Sequence, residues 1–182
     1  RAVYSPAQLR EQMAWFWFNH FNVHQYKHNL RAMVGDYEEA LRTHALGRFR
    51  DLLGASALHP AMLRYLDNEA NAANRINENY ARELLELHTL GVEGGYAQTD
   101  VQELARVLTG LGVNLSGQPP QMRPQLLSLV VTRGLMLFNP QRHDMGDKRV
   151  LGQLVKGRGF GEINEVLDRL AQHPSTARFV SR

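Results

Sequence analysis

Residues 77–91 read Asn-Glu-Asn-Tyr-Ala-Arg-Glu-Leu-Leu-Glu-Leu-His-Thr-Leu-Gly, and this stretch decides the fold class. At about 100° per residue, Glu78, Asn79, Arg82, Glu83 and Glu86 fall within one arc. Tyr80, Ala81, Leu84, Leu85, Leu87 and His88 occupy the opposite arc. That periodicity predicts an amphipathic helix from about Asn77 to Leu90, stopped by Gly91. Its polar arc has two readings. Glu78–Arg82 and Arg82–Glu86 are i, i+4 pairs that each stabilise a helix by roughly a few tenths of a kcal/mol. Lining a cleft, the same carboxylates are groups that bind a metal or transfer protons.

Upstream, Ser5-Pro6 predicts a helix start, with Gln8 placed to complete a capping box. Leu9, Met13, Phe16, Trp17, His20 and His24 then recur at spacings of three and four, while Trp15, Phe18 and Phe21 fill much of the other side. A helix apolar nearly all round is expected to be buried, so this one reads as the central helix. Asp36 to Leu53 predicts a second helix, with Gly47 as a possible interruption and Gly54 closing it. His59-Pro60 opens a short helix through Leu66, and residues 67–74 form a polar loop.

Downstream, Gly94-Gly95-Tyr96 marks a turn, and Thr99-Asp100 begins a helix lasting to about Thr109. Gly112 to Pro124 reads as loop. Leu126–Phe138 and Val150-Leu151 are apolar and β-branched enough for two short strands around the turn-rich stretch 139–147. A last helix spans about Glu162 to Gln172, His173-Pro174 breaks it, and Ser175 caps one more turn. The expected fold is mainly α: one domain over residues 1–182, a multi-helix bundle with a small inserted β-hairpin in an excursion at 112–151.

A chain of 182 residues, 43% hydrophobic and 21% charged, can bury a real core, which excludes wholesale disorder. No apolar run is long enough to span a bilayer. The absence of cysteine excludes disulfides, thiolate metal sites and cysteine nucleophiles. Arg1-Ala2-Val3 and Ser181-Arg182 read as internal sequence, so a fragment or processed chain is expected. The net charge is +3, but residues 121–160 hold seven Lys/Arg against Asp144 and Asp147 (+5), leaving −2 for the remainder. That basic segment lacks interleaved aromatics and any recognisable binding module. A solvated basic surface is the preferred reading over nucleic-acid binding, which would predict steeply salt-dependent affinity.

Other candidate groups stand apart from the central stretch. His20 and His88 both lie on apolar arcs, where an imidazole needs a partner, and two of them can meet or share a ligand. His20, His24 and His28 recur every four residues, a spacing that chelates a metal from one helix face. The zinc-protease pattern fails, because Phe21 stands where its glutamate belongs. His143-Asp144-Met145-Gly146-Asp147-Lys148 presents an imidazole and two carboxylates from a turn. Gly157-Arg158-Gly159-Phe160-Gly161 precedes a helix but has the spacing of neither nucleotide loop.

Several segments together resemble one family. They are Phe16-Trp17-Phe18-Asn19-His20-Phe21, His59-Pro60-Ala61-Met62-Leu63 with Tyr65-Leu66-Asp67-Asn68, and the stretch 77–91. Gly94-Gly95-Tyr96, Leu104 to Gly110, His143-Asp144 with Gly146 and Lys148, and His173-Pro174 with Thr176-Ala177 and Phe179 complete the pattern. The family is the bacterial domain of unknown function numbered 1800. Phe18 stands where a histidine is common and Ala97 where threonine is. The resemblance implies an exported location, periplasmic or secreted, and a neighbouring secreted sulfatase-like protein as possible partner. It implies the middle of a longer protein and brings no established activity.

Two functions follow as expectations. In the first, a possible metal- or anion-binding hydrolase-like domain, the polar cleft lies between helices. Glu83, Glu86, Arg82 and His143 act chemically, His20, His88 and Asp144 hold a divalent metal ion, and Asn19, Asn77, Glu78 and Asn79 complete the cleft. In the second, a non-catalytic scaffold or interaction module binds a partner protein, and the same polar letters are an internal network.

Overall fold

A computed structural model describes residues 4–182; the opening Arg1-Ala2-Val3, read above as internal sequence, lies outside them. The architecture is mainly helical, in the order α1 (Gln8–His20), α2 (Arg31–His44), α3 (Phe49–Ala57), α4 (Pro60–Tyr65) and α5 (Asn79–Glu83). A π-helical segment, Leu84–Thr89, continues α5, and α6 (Gln98–Val107), α7 (Phe160–Gln172) and α8 (Pro174–Val180) follow. Between α6 and α7 lie the strands β1 (Leu111–Val113), β2 (Val131–Arg133), β3 (Met136–Phe138), β4 (Lys148–Val150) and β5 (Gln153–Val155). Among the described residues no helix is long and apolar enough to cross a membrane.

The β content differs from the single hairpin expected. Among the described residues there are two small antiparallel sheets, one in the order β1-β3-β2 and one of β4 and β5. Val150 pairs with Gln153 and not with the Leu126–Phe138 segment. The reason is local: Leu151 and Gly152 both take positive φ (52° and 75°), the conformation of a tight type I′ turn that folds β4 straight back on β5.

The opening helix is also different from the reading above. α1 begins at Gln8, after Ser5 has accepted a hydrogen bond from the Ala7 N–H at 3.2 Å, so Ser5 is not its cap. It buries Ala14 and Trp17 and leads into buried Phe21, but Leu9, Trp15 and Phe16 are 68%, 66% and 47% exposed. The helix is therefore peripheral, with apolar side chains on both faces. It ends at His20, which leaves His24 and His28 off its surface.

The expected Asp36–Leu53 helix is two helices broken at Ala45–Arg48. Gly54 does not close α3, which continues to Ala57. His59 and His173 share a capping role. Each precedes a proline at the first helical position, and each accepts a backbone N–H on Nδ1, from Ala61 (3.1 Å) and Ser175 (3.2 Å). His173, not Ser175, thus caps α8. At α6 the cap position falls on Ala97, two residues before the expected start, and the Asp100 carboxylate accepts the Ala97 N–H at 2.8 Å.

One contiguous apolar cluster runs from Ala14 and Trp17 through Leu52, Leu63, Tyr80, Leu85 and Leu104 to Phe138 and Leu170. Its buried polar tips are satisfied by backbone: the Trp17 Nε1–H donates to the Ala45 carbonyl (3.0 Å), the Tyr37 hydroxyl to that of Phe21 (2.7 Å) and the Tyr80 hydroxyl to that of Ala57 (2.9 Å).

Candidate functional site

The residues singled out from sequence fall into separate groups. The first is the imidazole pair. From Leu84 to Thr89 the chain widens to π-helix: the Leu90 N–H reaches the Leu85 carbonyl (2.8 Å), and the Thr89 hydroxyl donates to that of Leu84 (2.6 Å). Such widened turns are frequent at functional sites. This one turns His88 inward, its ring edge-on to Phe21 at 5.3 Å. His20 lies beside it, its Nε2 within 3.0 Å of the His88 carbonyl oxygen and its ring near Phe179. Burial drives the His88 imidazole down to about 3, with the nearby His20 acting in the same direction. Burial also lowers His20, although its bond to the His88 carbonyl opposes this. Both rings are therefore neutral near pH 7.

The second group is acidic and lies on a different surface of the same helical run. Burial raises the Glu83 carboxyl, the charge of Glu86 adds to this, and Arg82 opposes it. Tyr96 donates its hydroxyl to Glu86 and is itself raised, first by burial. Arg82 is divided between Glu78 (3.2 Å) and Gln98 (2.8 Å), and Gln98 also donates to Glu78 at 2.6 Å. Glu78 and Arg82 are thus a paired surface unit beside the half-buried Glu83 and Glu86.

The third group is the asparagine latch. Asn77 donates its backbone N–H to Asn71 Oδ1 (2.9 Å) and its Nδ2 to the Asp67 carbonyl (3.3 Å), and Asn79 Nδ2 donates to that of Leu66 (3.0 Å). Asn68 and Asn71, which sequence reasoning left inside a polar loop, are buried. Asn68 Nδ2 serves the carbonyls of Leu108 and Leu111, and Asn71 Nδ2 that of Ala105 (2.8 Å). Together they fasten the 67–79 loop to the end of α6 and the start of β1. Asn19 is exposed and donates to the Trp15 carbonyl in its own helix.

The fourth group holds His143 and Asp144, and it is the most deeply buried. His143 Nδ1 lies 2.7 Å from the Thr109 carbonyl oxygen and therefore donates to it. The Thr109 hydroxyl already gives its proton to the Arg106 carbonyl (2.6 Å) and accepts the Asp144 N–H (2.9 Å). His143 Nε2 also lies against Glu162 Oε1. Lys148 Nζ donates to both Glu162 oxygens at 2.9 Å and to the Asp144 carbonyl. The side chains of His143, Lys148 and Glu162 are fully sequestered from solvent. Asp144 faces the other way, onto Arg106 at 2.8 Å. Burial pushes Asp144 up, but the bonds from Arg106 and the Gly146 N–H, with the charges of Arg106 and Lys148, hold it below the usual carboxylate range.

Structure therefore brings His20 to His88, Glu83 to Glu86, and Asn77 to Asn79. Their hydrogen-bond partners are distinct from those of His143 and Asp144. Among the described residues no group of three or more His, Asp or Glu side chains is arranged to hold a metal ion. Glu162 and Lys148 were not among the residues picked as a site, although the sequence carried a signal for the lysine. Strand alternation puts Lys148 on the same inward face as Val150, where a lysine requires a buried acid. The glycine loop after β5 has a packing role as well. A Cβ at Gly157 would fall 2.0 Å from the Met145 carbonyl oxygen, and the Gly157 N–H is already given to Asp147 Oδ1 (3.0 Å).

Comparison with known protein families matches residues 1–182, the whole chain, to a family described as a protein of unknown function, DUF1800. No curated protein and no solved structure matches the chain.

Proposed function

Because the chain belongs to the DUF1800 family, whose description assigns no activity, we propose that it is a non-catalytic helical scaffold that binds a partner protein. The observation that carries this reading is the use to which the family-type polar residues are put. Asn77, Asn79 and His143 each spend side-chain donors on backbone carbonyls of remote or looped segments, and Lys148 and Glu162 neutralise each other inside the core. Groups so engaged fix loops and helices in register and are not presented to a substrate. The exposed apolar residues of α1, Leu9, Trp15 and Phe16, supply a surface for the partner. The secreted sulfatase-like protein implied by the resemblance is the first partner to try, in the periplasmic or secreted setting that goes with it.

Co-expression tests this directly. The wild-type chain should co-purify with that partner, Trp15→Glu with Phe16→Glu should release it, and Asn79→Ala should lower thermal stability. Turnover or ligand binding that disappears in Glu83→Gln while stability is unchanged would refute the scaffold.

A hydrolase-like reading keeps one observation in its favour. Burial and the neighbouring Glu86 raise Glu83 from its ordinary value against the pull of Arg82, the direction that favours a proton donor. A rate that falls in both Glu83→Gln and Glu86→Gln, with folding intact, would favour it.

A further inference from the structure

A cleft of about 580 Å³ uses none of the groups above. It is bounded by α2, α3, the start of α4, α7 and the β2–β3 turn. His59, from the His59-Pro60 segment that the scaffold reading leaves unused, lies in its wall. Because Nδ1 accepts the Ala61 N–H, the proton of the neutral ring sits on Nε2, which donates to Asp36 Oδ2 at 3.2 Å. Burial lowers the imidazole, against the pull of Asp36, so the ring remains a neutral, oriented donor. Asp36 is 86% exposed at its side chain, and beyond His59 it makes no ion pair among the described residues.

The remaining charges of the cleft are of both signs. Arg50 holds Asp168 through Nε (2.5 Å) and Asn164 through Nη2, while its Nη1 rests over Gly54 with no acceptor among the described residues. Arg133 lies over the Phe160 ring, 5.1 Å from its centroid, and has no carboxylate partner among the described residues. Asp51 has none of the opposite sign. Leu58 and Leu135 add apolar wall between these groups. A simple anion would meet Asp36 and Asp51, and a simple cation would meet Arg50 and Arg133. A ligand carrying one charge at each end satisfies both sets, and the volume lies in the range that takes up a small organic molecule.

We propose that this cleft binds a short peptide with free ends, its carboxylate against Arg50 and Arg133, its ammonium against Asp36 and Asp51, and an apolar side chain against Leu58 and Leu135. Arg133 offers the planar donors that a carboxylate takes in pairs, and Arg50 adds its uncommitted Nη1. The inference stands apart from the scaffold reading, because neither α1 nor the polar latches take part in it.

The test is calorimetric titration of the whole chain with Ala-Leu-Ala, with its N-acetylated and C-amidated forms, and with free leucine, while amide NMR shifts locate the site. Ala-Leu-Ala should bind and move signals of residues 51–60 and 133–135. Either cap should weaken binding roughly tenfold, as should Arg133→Gln or Asp51→Asn, each removing one charged hydrogen bond. Both substitutions are at exposed positions, so unchanged circular dichroism is expected. Equal response to capped and free peptide, leucine binding as well as the tripeptide, shifts elsewhere, or no heat at millimolar peptide would each overturn the assignment.

Discussion

Replacing His88 by leucine should flatten the acid limb of the stability curve by a predictable amount. The His88 ring is buried against Phe21, and its nitrogens find no hydrogen-bond partner among the described residues, which is why burial carries it down to about 3. In the unfolded chain a histidine titrates near 6.5. Between those values the unfolded state binds a proton that the folded state refuses, so stability rises with pH across that window and falls as the pH drops from 6.5 toward 3. One pH unit corresponds to about 1.4 kcal/mol, so acidifying from pH 7 to 5 should cost about 2 kcal/mol through this residue alone. For a chain of this size that is roughly 4–8 °C in Tm.

His20 and His59, held low by burial, and Asp144, held low by Arg106 against its burial, add to acid loss with the same sign, so the wild-type limb alone cannot isolate His88. The comparison with His88→Leu does. Leucine has similar volume and orphans no polar group, so the variant should lie within about 1.5 kcal/mol of wild type at pH 7. Urea unfolding at pH 7, 6 and 5 should then show the gap narrowing, or reversing, by about 2 kcal/mol. Parallel curves for the two proteins would refute the placement of His88 in the core.

Lys148→Met should cost about 3–5 kcal/mol, since it removes the ammonium bound to both Glu162 oxygens and leaves that buried carboxylate only the His143 imidazole, whereas Lys148→Met with Glu162→Met should be less damaging than the single changes predict by addition; urea midpoints of all three variants check this. Ala97→Thr should stabilise by about 0.5–1 kcal/mol, because position 97 caps α6 with an extended backbone and no side-chain oxygen; a thermal scan that shows no gain would contradict that cap. Gly157→Ala should destabilise by at least about 1–3 kcal/mol, as its Cβ would strike the Met145 carbonyl, and proteolysis should then open the β4–β5 region first.

How much of this was legible in the sequence depended on whether a signal was local. Helix periodicity at 77–91, the His59-Pro60 helix start and the Gly91 stop are properties of a few consecutive residues, and all three appear in the fold, whereas Gly54 lies inside α3 and His173-Pro174, read only as a break, starts α8. The identity of a capping residue was less so: serine at 5 and 175 has the customary oxygen, yet the cap of α8 is the imidazole nitrogen of His173, one residue earlier, and α1 begins beyond Ser5. Burial of α1 was misread because periodicity reports which residues are apolar, not whether anything is packed on both sides of them. Trp15 and Trp17 are chemically alike and two residues apart, but only Trp17 is buried, its indole N–H on the Ala45 carbonyl and its ring beside Phe49 of α3.

The grouping of the candidate site was beyond reach for a related reason. His88, Glu86 and His143 all sit in dense polar motifs, and motif density carries no information about which motifs share a wall. One π-helical turn sends His88 to the core while Glu86 remains with Tyr96 at the surface, and no residue type in Leu84–Thr89 demands that widening on its own. Lys148 is the opposite case. A lysine two residues from Val150 in a strand must face inward, and an inward ammonium must find an acid. The chain thus announced that a buried carboxylate existed, while its being Glu162, at the start of a helix beyond the next strand, followed only once α7 was packed against that strand pair.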